Sequence, residues 1–157
     1  MPLFMITGLG LMITARQCVS RPDEDPWVPF QDTYDRCKDF LNYDPVWRAW
    51  IRASLELALD DNVQYLEIRA GFGKRYTLTN STRAGGQQKI DPTGVEDVKT
   101  YLSIVKQFVE EHPNDFVNLT AIYQIARAKS SEQIEKAMRD AKRLREQFPG
   151  FVVGFGA

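Results

Sequence analysis

Histidine and cysteine are nearly absent. The 157-residue chain has one His, His112, and two Cys, Cys18 and Cys37. The common self-contained zinc sites need three or four such ligands, so those patterns are excluded. Net charge is also nearly absent, with 20 Lys and Arg against 21 Asp and Glu. A dedicated nucleic-acid binder carries a basic excess, and this chain has none. No apolar run is long enough to cross a membrane. Residues 3–15 (LFMITGLGLMITA) rise about 20 Å as a helix, short of the roughly 30 Å hydrocarbon core. What is present is 43% hydrophobic and 26% charged residues, the composition of a folded domain.

Residues 1–26 read either as a signal peptide or as a poorly defined N-terminal segment. The 3–15 run has the length of a signal core, and Ile13-Thr14-Ala15 leaves a small residue at a cleavage point. Against that, no charged side chain precedes the run and two glycines interrupt it. The sequons Asn80-Ser81-Thr82 and Asn118-Leu119-Thr120 fit a secreted, extracellular protein. Asn80, in a polar Gly-rich stretch, is the glycosylation candidate. Asn118 opens an apolar run and reads as strand, where a glycan does not fit. An oxidising compartment would let Cys18 and Cys37 pair. Phe30, Tyr34, Cys37 and Leu41 share one helical face, however, which favours Cys37 as a small core residue.

From Trp27 onward helix and strand periods alternate. A helical stripe occupies 30–42. A second helix, with Asp44 as cap and Pro45 at its first position, carries Val46, Trp50, Ile51, Leu55 and Leu59. Val63–Arg69 alternates as a strand. Residues 71–92 read as one long polar loop. Val95–Glu111 is a helix with Val98, Leu102, Val105 and Val109 inward, and Phe116–Tyr123 a strand. Ser130–Phe148 is the next helix, with Ser131 as its cap and Ile134, Met138, Ala141 and Leu144 as its stripe, and Phe151–Phe155 is the last strand. That alternation predicts an α/β fold with a parallel sheet.

No complete catalytic set emerges from the residues. Gly71-Phe72-Gly73-Lys74 follows a strand but lacks the remaining glycine and the Lys-Ser/Thr ending of a phosphate loop, and no helix opens behind it. His112, at a helix end, reads as a capping or solvated side chain. Glu67 and Arg69 share one strand face, where a structural ion pair is the expected arrangement. Arg127 follows the second strand at its C-terminal end, the end that carries active sites in barrels.

The segments together resemble a specific family. Trp27-x-x-Phe30, Tyr43-x-Pro45-Val46-x-Arg48 and Asp61-Asn62-Val63-x-Tyr65-x-Glu67-Ile68-Arg69-Ala70 are similar to the adenosine deaminase growth factors, the secreted branch of the adenosine deaminases. The likeness continues through Val98-Lys99-Thr100-Tyr101, Phe108-Val109-Glu110-x-His112-Pro113, Ile122-Tyr123, Arg127, Phe148-Pro149 and Gly154-Phe155. It spans roughly residues 27–155, giving a 27–157 partial deaminase-like domain after the 1–26 segment.

The resemblance implies about three βα units, plus preceding helices, of a (β/α)₈ TIM barrel. It also implies zinc-dependent hydrolysis of adenosine to inosine and ammonia. The family's metal site uses a His-x-His pair, a later His and an Asp, and a His-Ala-Gly-Glu motif supplies the proton-transferring Glu. None of these stands in this sequence. No zinc is therefore expected to bind this chain, and no catalytic residue is assigned. Trp27 matches a family Trp that borders the nucleoside pocket, and anchoring the next helix is its alternative role. After Tyr123 the family's Ser-Asp-His is replaced by Gln124-Ile125-Ala126. Where the family continues Gly-Phe-Asp, this chain has Gly154-Phe155-Gly156-Ala157. The expectation is an inactive deaminase fragment, with a non-catalytic secreted interaction or growth-factor-like module as the alternative. Three strands of eight would leave strand edges and a large apolar sheet face open to self-association.

Overall fold

The computed structural model describes residues 37–79, 86–126 and 129–156. Cys18, Trp27, Asn80 and Arg127 lie outside the described residues, as do the 1–26 segment and most of the first helical stripe. A short helical stretch, residues 37–41, leads into α1, Asp44–Asp60. There follow β1 (Tyr65–Ala70), β2 (Tyr76–Thr79), β3 (Gly86–Lys89) and α2 (Val95–Glu111). The chain continues through β4 (Asn118–Gln124), α3 (Ser131–Gln147) and β5 (Val152–Gly156). Strands β1, β4 and β5 form one parallel sheet in that order, and β2 pairs antiparallel with β3. The expected α/β class and parallel sheet are thus present.

Helix α1 starts where Pro45 fits, because a first-turn N–H has no intrahelical partner to lose. Asp44 does not cap it. Tyr43 holds the N-cap position without a side-chain bond, and the Asp44 carboxylate reaches Arg48 Nε and Arg75 Nη1, each at 3.0 Å. Two guanidiniums satisfy that charge better than one backbone N–H. The buried face is Ile51, Leu55 and Ala58. Trp50, expected on that face, is 47% exposed, since it sits about 100° around the helix from Ile51. The helix ends on Asn62, which takes a left-handed φ of 59° and lets Val63 N–H donate back to Ala58 O at 2.8 Å.

Helix α2 begins at Gly94, φ 81°, where a Cβ would lie 2.7 Å from Phe72 Cβ. Glycine has no capping side chain, so Asp91 does that work from the preceding turn. Its carboxylate accepts from the Thr93 N–H at 2.8 Å and the Glu96 N–H at 3.1 Å. Burial opposes its charge, but the hydrogen bond from the Thr93 hydroxyl, together with these N–H groups, prevails and holds its carboxyl below the ordinary value. The inward face is Val98, Tyr101, Val105 and Phe108, and Leu102 turns outward. The two aromatics occupy the sheet side and rotate the buried face away from the expected one.

Helix α3 is capped by Ser130, not Ser131. The Gln133 N–H donates to Ser130 Oγ at 3.3 Å, and Gln133 Oε1 accepts from the Ser130 N–H at 3.1 Å, a reciprocal capping box. Ala137, Ala141 and Leu144 face the sheet, while Met138 is exposed.

The stretch read as one long loop contains the β2–β3 hairpin. Tyr76, Thr77, Leu78 and Thr79 have strand propensity, but Gly86–Lys89 (GQQK) does not, and only pairing makes it a strand. The hairpin base is tied by Tyr76 N–H to Asn42 O at 3.0 Å and Ile90 N–H to Arg75 O at 3.1 Å.

All three helices cover one sheet face. There Leu55, Val98, Phe108, Phe116, Leu119 and Leu144 form a single core with Ala121 and Val152. The other face is not the large apolar surface expected. It carries Tyr65, Glu67 and Arg69 from β1, and Asn118, Thr120 and Ile122 beside them on β4. Two of the three β1 side chains on this face are charged, because alternation sends Leu66, Ile68 and Ala70 to the helix side.

Candidate functional site

Parallel strands deliver their C-terminal ends to one edge, and there the open sheet face is the natural place for a site. Ala70, Gln124 and Gly156 mark that edge, and the Ile125 N–H closes it onto Gly156 O at 3.1 Å. Ile122 forms the floor, opposite Arg69 in β1 and Gly154 in β5. The glycine leaves room: a Cβ at Gly154 would already touch Ile122 Cγ1 at 3.4 Å. Deeper on the same face the Tyr65 hydroxyl lies 3.0 Å from Thr120 Oγ1, which is buried beneath it.

Glu67 and Arg69 both stand on this face and are exposed, with no ion pair between them. The expected structural pair does not form. In an extended strand, side chains two apart run side by side, and both groups here remain in water. A carboxylate and a guanidinium can bind a polar ligand, but they make no nucleophile–base or metal set. Among the described residues no group of three His, Cys, Asp or Glu could hold a metal ion.

His112 is the C-cap of α2. Its backbone N–H donates to Phe108 O and Val109 O, and its ring packs on Phe108 at 4.6 Å. The capping role expected of it holds. Gly71–Lys74 is not a phosphate cradle: Phe72 is buried in the core, and the Gly73 N–H donates to Asp97 Oδ2 at 2.7 Å. Gly73 has φ 77° and lies against the Pro92 carbonyl, 2.5 Å from where a Cβ would stand. Cys37 is half-buried, and Leu41, placed with it on the stripe, is exposed. Asn118 sits in β4, half-buried, with Oδ1 accepting from the Leu119 N–H at 2.8 Å.

Sequence reasoning missed the most organised polar cluster. Arg75, 3% exposed, extends between α1 and α2. Its Nη1 meets Asp44 Oδ1 at 3.0 Å and donates to Thr100 Oγ1 at 2.9 Å, and its Nη2 donates to Glu96 O at 3.2 Å. Its Nε faces Asp97 Oδ1 at 3.1 Å as an ion pair out of line for a hydrogen bond. The guanidinium also stacks over the Trp47 ring at 4.7 Å. Burial pushes the Asp97 carboxyl up, against the pull of the Gly73 N–H and Arg75. Burial likewise raises the Tyr101 hydroxyl, with the Asp97 charge adding to it. This cluster fastens the chain leaving β1 to both helices, so it sets the geometry of the sheet's C-terminal edge. One signal was available: Asp97 lies on the helix face of Val98 and Tyr101, and an inward carboxylate demands a cation.

No protein-family model matches the chain. Curated relatives do. The chain is 33% identical over 129 residues to adenosine deaminase 2 of Homo sapiens, covering 82% of this chain and 23% of that protein. It is 30% identical over 132 residues to an adenosine deaminase of Aedes albopictus, covering 84% of this chain and 23% of the relative. Adenosine deaminase 2-A of Danio rerio is 25% identical over 135 residues. The chain is an adenosine deaminase homologue. It spans about a quarter of the length of the curated relatives it matches. In this deaminase homologue the residues that carry the resemblance are mostly scaffold. Tyr43 bridges to Tyr76, Thr100 and Tyr101 lie on the buried face of α2, Asn62 turns the chain into β1, and Phe108 centres the core. Glu67 and Arg69 belong to the matched block too, yet they face outward on the open side of the sheet.

Proposed function

We propose that this chain is three strand-and-helix layers of an adenosine deaminase (β/α)₈ barrel, residues 27–157, whose parent reaction is zinc-dependent hydrolytic deamination of adenosine to inosine and ammonia. The similarity to adenosine deaminases and the parallel β1-β4-β5 sheet with its helices on one face support this reading. In the whole enzyme the open face would look into the barrel, with adenosine at the C-terminal edge and Trp27 bordering it. We further propose a secreted protein, with residues 1–26 as leader and Asn80 as its glycan site.

The residues present do not fit the family's zinc. One histidine in the whole chain cannot supply a His-x-His pair, and that histidine is packed against Phe108 as a helix cap. The chain by itself is therefore a scaffold without catalysis, and the single histidine is the observation that carries this conclusion. The non-catalytic interaction module remains the second reading, favoured by a continuous core that α1, α2 and α3 already cover. Equilibrium dialysis of the purified full chain against micromolar zinc, followed by metal analysis, tests the metal claim. The expected content is far below one zinc per chain. One firmly held zinc per chain would overturn the assignment.

A further inference from the structure

At the C-terminal end of β4, a groove of about 240 Å³ opens on the helix side of the sheet and runs along α3. Strand β4 is the middle one of the sheet, and α2 and α3 are the helices that lead into it and out of it. Tyr123 lies at the base of the groove, and Lys129, Gln133, Lys136 and Asp140 form its wall. Their spacing of four, three and four residues puts them on one helical face. That face looks toward α2. One turn beyond Asp140, the Arg143 Nη2 donates to Thr93 O at 2.7 Å and lies 3.4 Å from Asp140 Oδ1, which ties α3 to the turn before α2. Met138, Lys142 and Arg145 line the other side of α3, toward β5.

The polar side chains of this groove are four donors and one acceptor. The Lys129 and Lys136 ammoniums make no ion pair among the described residues. Gln133 Oε1 is engaged with the Ser130 N–H at 3.1 Å, so the capping box leaves its Nε2 as a free donor. The Tyr123 hydroxyl has no hydrogen-bond partner among the described residues. Burial raises it above its ordinary value, with Asp140 adding and Arg143 subtracting, so it stays protonated and able to donate. Asp140 is the acceptor, and Arg143 draws on it. The remaining acids of α3 turn elsewhere. Glu135 meets Arg139, Glu146 meets Lys142, and Glu132 stands about 100° round the helix from Gln133. Lys129 is also poorly placed for the fold alone, because a cation just ahead of a helix N-terminus opposes its dipole. An anion in the groove relieves that conflict and the repulsion between two lysines on one face.

We propose that this groove binds a small phosphomonoester. Its phosphate would sit between the Lys129 and Lys136 ammoniums, with Gln133 Nε2 and the Tyr123 hydroxyl donating to the remaining oxygens. Asp140 would accept from a hydroxyl of the organic part. The volume decides between a bare anion and an ester: 240 Å³ is several times the roughly 30 Å³ that one water occupies, so a phosphate alone leaves most of the groove to solvent. The site stands on the α3 face and not on the deaminase reading, so either can fail without the other.

Isothermal titration of the full chain with ribose 5-phosphate, inorganic phosphate and ribose tests it. The ester is expected to bind more tightly than inorganic phosphate, ribose not to bind, and both phosphates to weaken as salt rises. Lys129→Gln with Lys136→Gln is expected to weaken the ester about tenfold or more, the scale of losing hydrogen bonds to a charged group. Tyr123→Phe weakens it less and leaves the salt dependence unchanged. Lys142→Gln, on the other side of α3, has no effect. The lysines are exposed, and circular dichroism confirms that each variant is folded. Absence of binding by either phosphate overturns the proposal. So does inorganic phosphate binding as tightly as the ester, or Lys142→Gln weakening the ester as much as the paired substitution.

Discussion

Arg75→Met is expected to destabilise the protein by about 3–5 kcal/mol, the range for removing one member of a buried ion pair. The substitution keeps the length of the stem and deletes the charge. Asp97, 2% exposed, would then be a buried carboxylate holding only the Gly73 N–H, and Asp44 would keep only Arg48. Thr100 Oγ1 and Glu96 O would also lose a donor. Thermal unfolding followed by circular dichroism measures this. For a chain of this size the loss corresponds to a fall in Tm of roughly 10 °C. Arg75→Lys recovers little, because one ammonium cannot serve four acceptors spread around a planar fork. Arg75→Met combined with Asp97→Leu recovers a large share, since an apolar pair leaves no uncompensated charge. If Arg75→Met unfolds within a degree or two of the parent, the cluster is not what fastens the β1–β2 segment to α1 and α2.

Phe108→Ala is expected to lose about 3–5 kcal/mol through the cavity left in the core. Phe108 is fully buried and meets Phe116 edge-to-face at 5.2 Å, the His112 ring at 4.6 Å and the Arg52 guanidinium at 4.8 Å. Truncation removes all three partners' contact at once, at the point where α1, α2 and the start of β4 converge. Denaturant unfolding reports the loss as a lower midpoint with an unchanged slope. Phe108→Leu, which keeps most of the volume, is expected to lose less than half as much. Equal losses for the two variants would mean that ring contacts, and not volume, dominate there.

The helices and parallel strands were legible because each alternates apolar and polar residues at its own period. Val95–Glu111 matched to the residue. Which side of a helix turns inward was less legible. Trp50, Leu102 and Met138 satisfy the period yet face outward, since neighbouring Ile51, Tyr101 and Ala137 fit the sheet better. The hairpin was hidden because Gly86–Lys89 is a strand by pairing alone. Asp44 and Ser131 were plausible caps by residue type. Asp44 was drawn off by Arg75, a partner 31 positions away, and Ser130 won the cap because only it sits three before Gln133. The Arg75 cluster joins a loop to two helices, and no short-range spacing reveals such a junction. Of the outward-facing pair, Glu67 and Arg69 were found by alternation, but their lack of contact needed the structure.

Turnover tests the central claim most directly. Purified full-length chain is incubated with zinc and adenosine, and the fall in adenosine absorbance is followed beside a zinc-loaded adenosine deaminase. The chain is expected to produce no inosine above the protein-free rate, because its one histidine caps α2 and cannot assemble the family's metal site. Reproducible inosine formation that scales with chain concentration and is abolished by a chelator would contradict that claim.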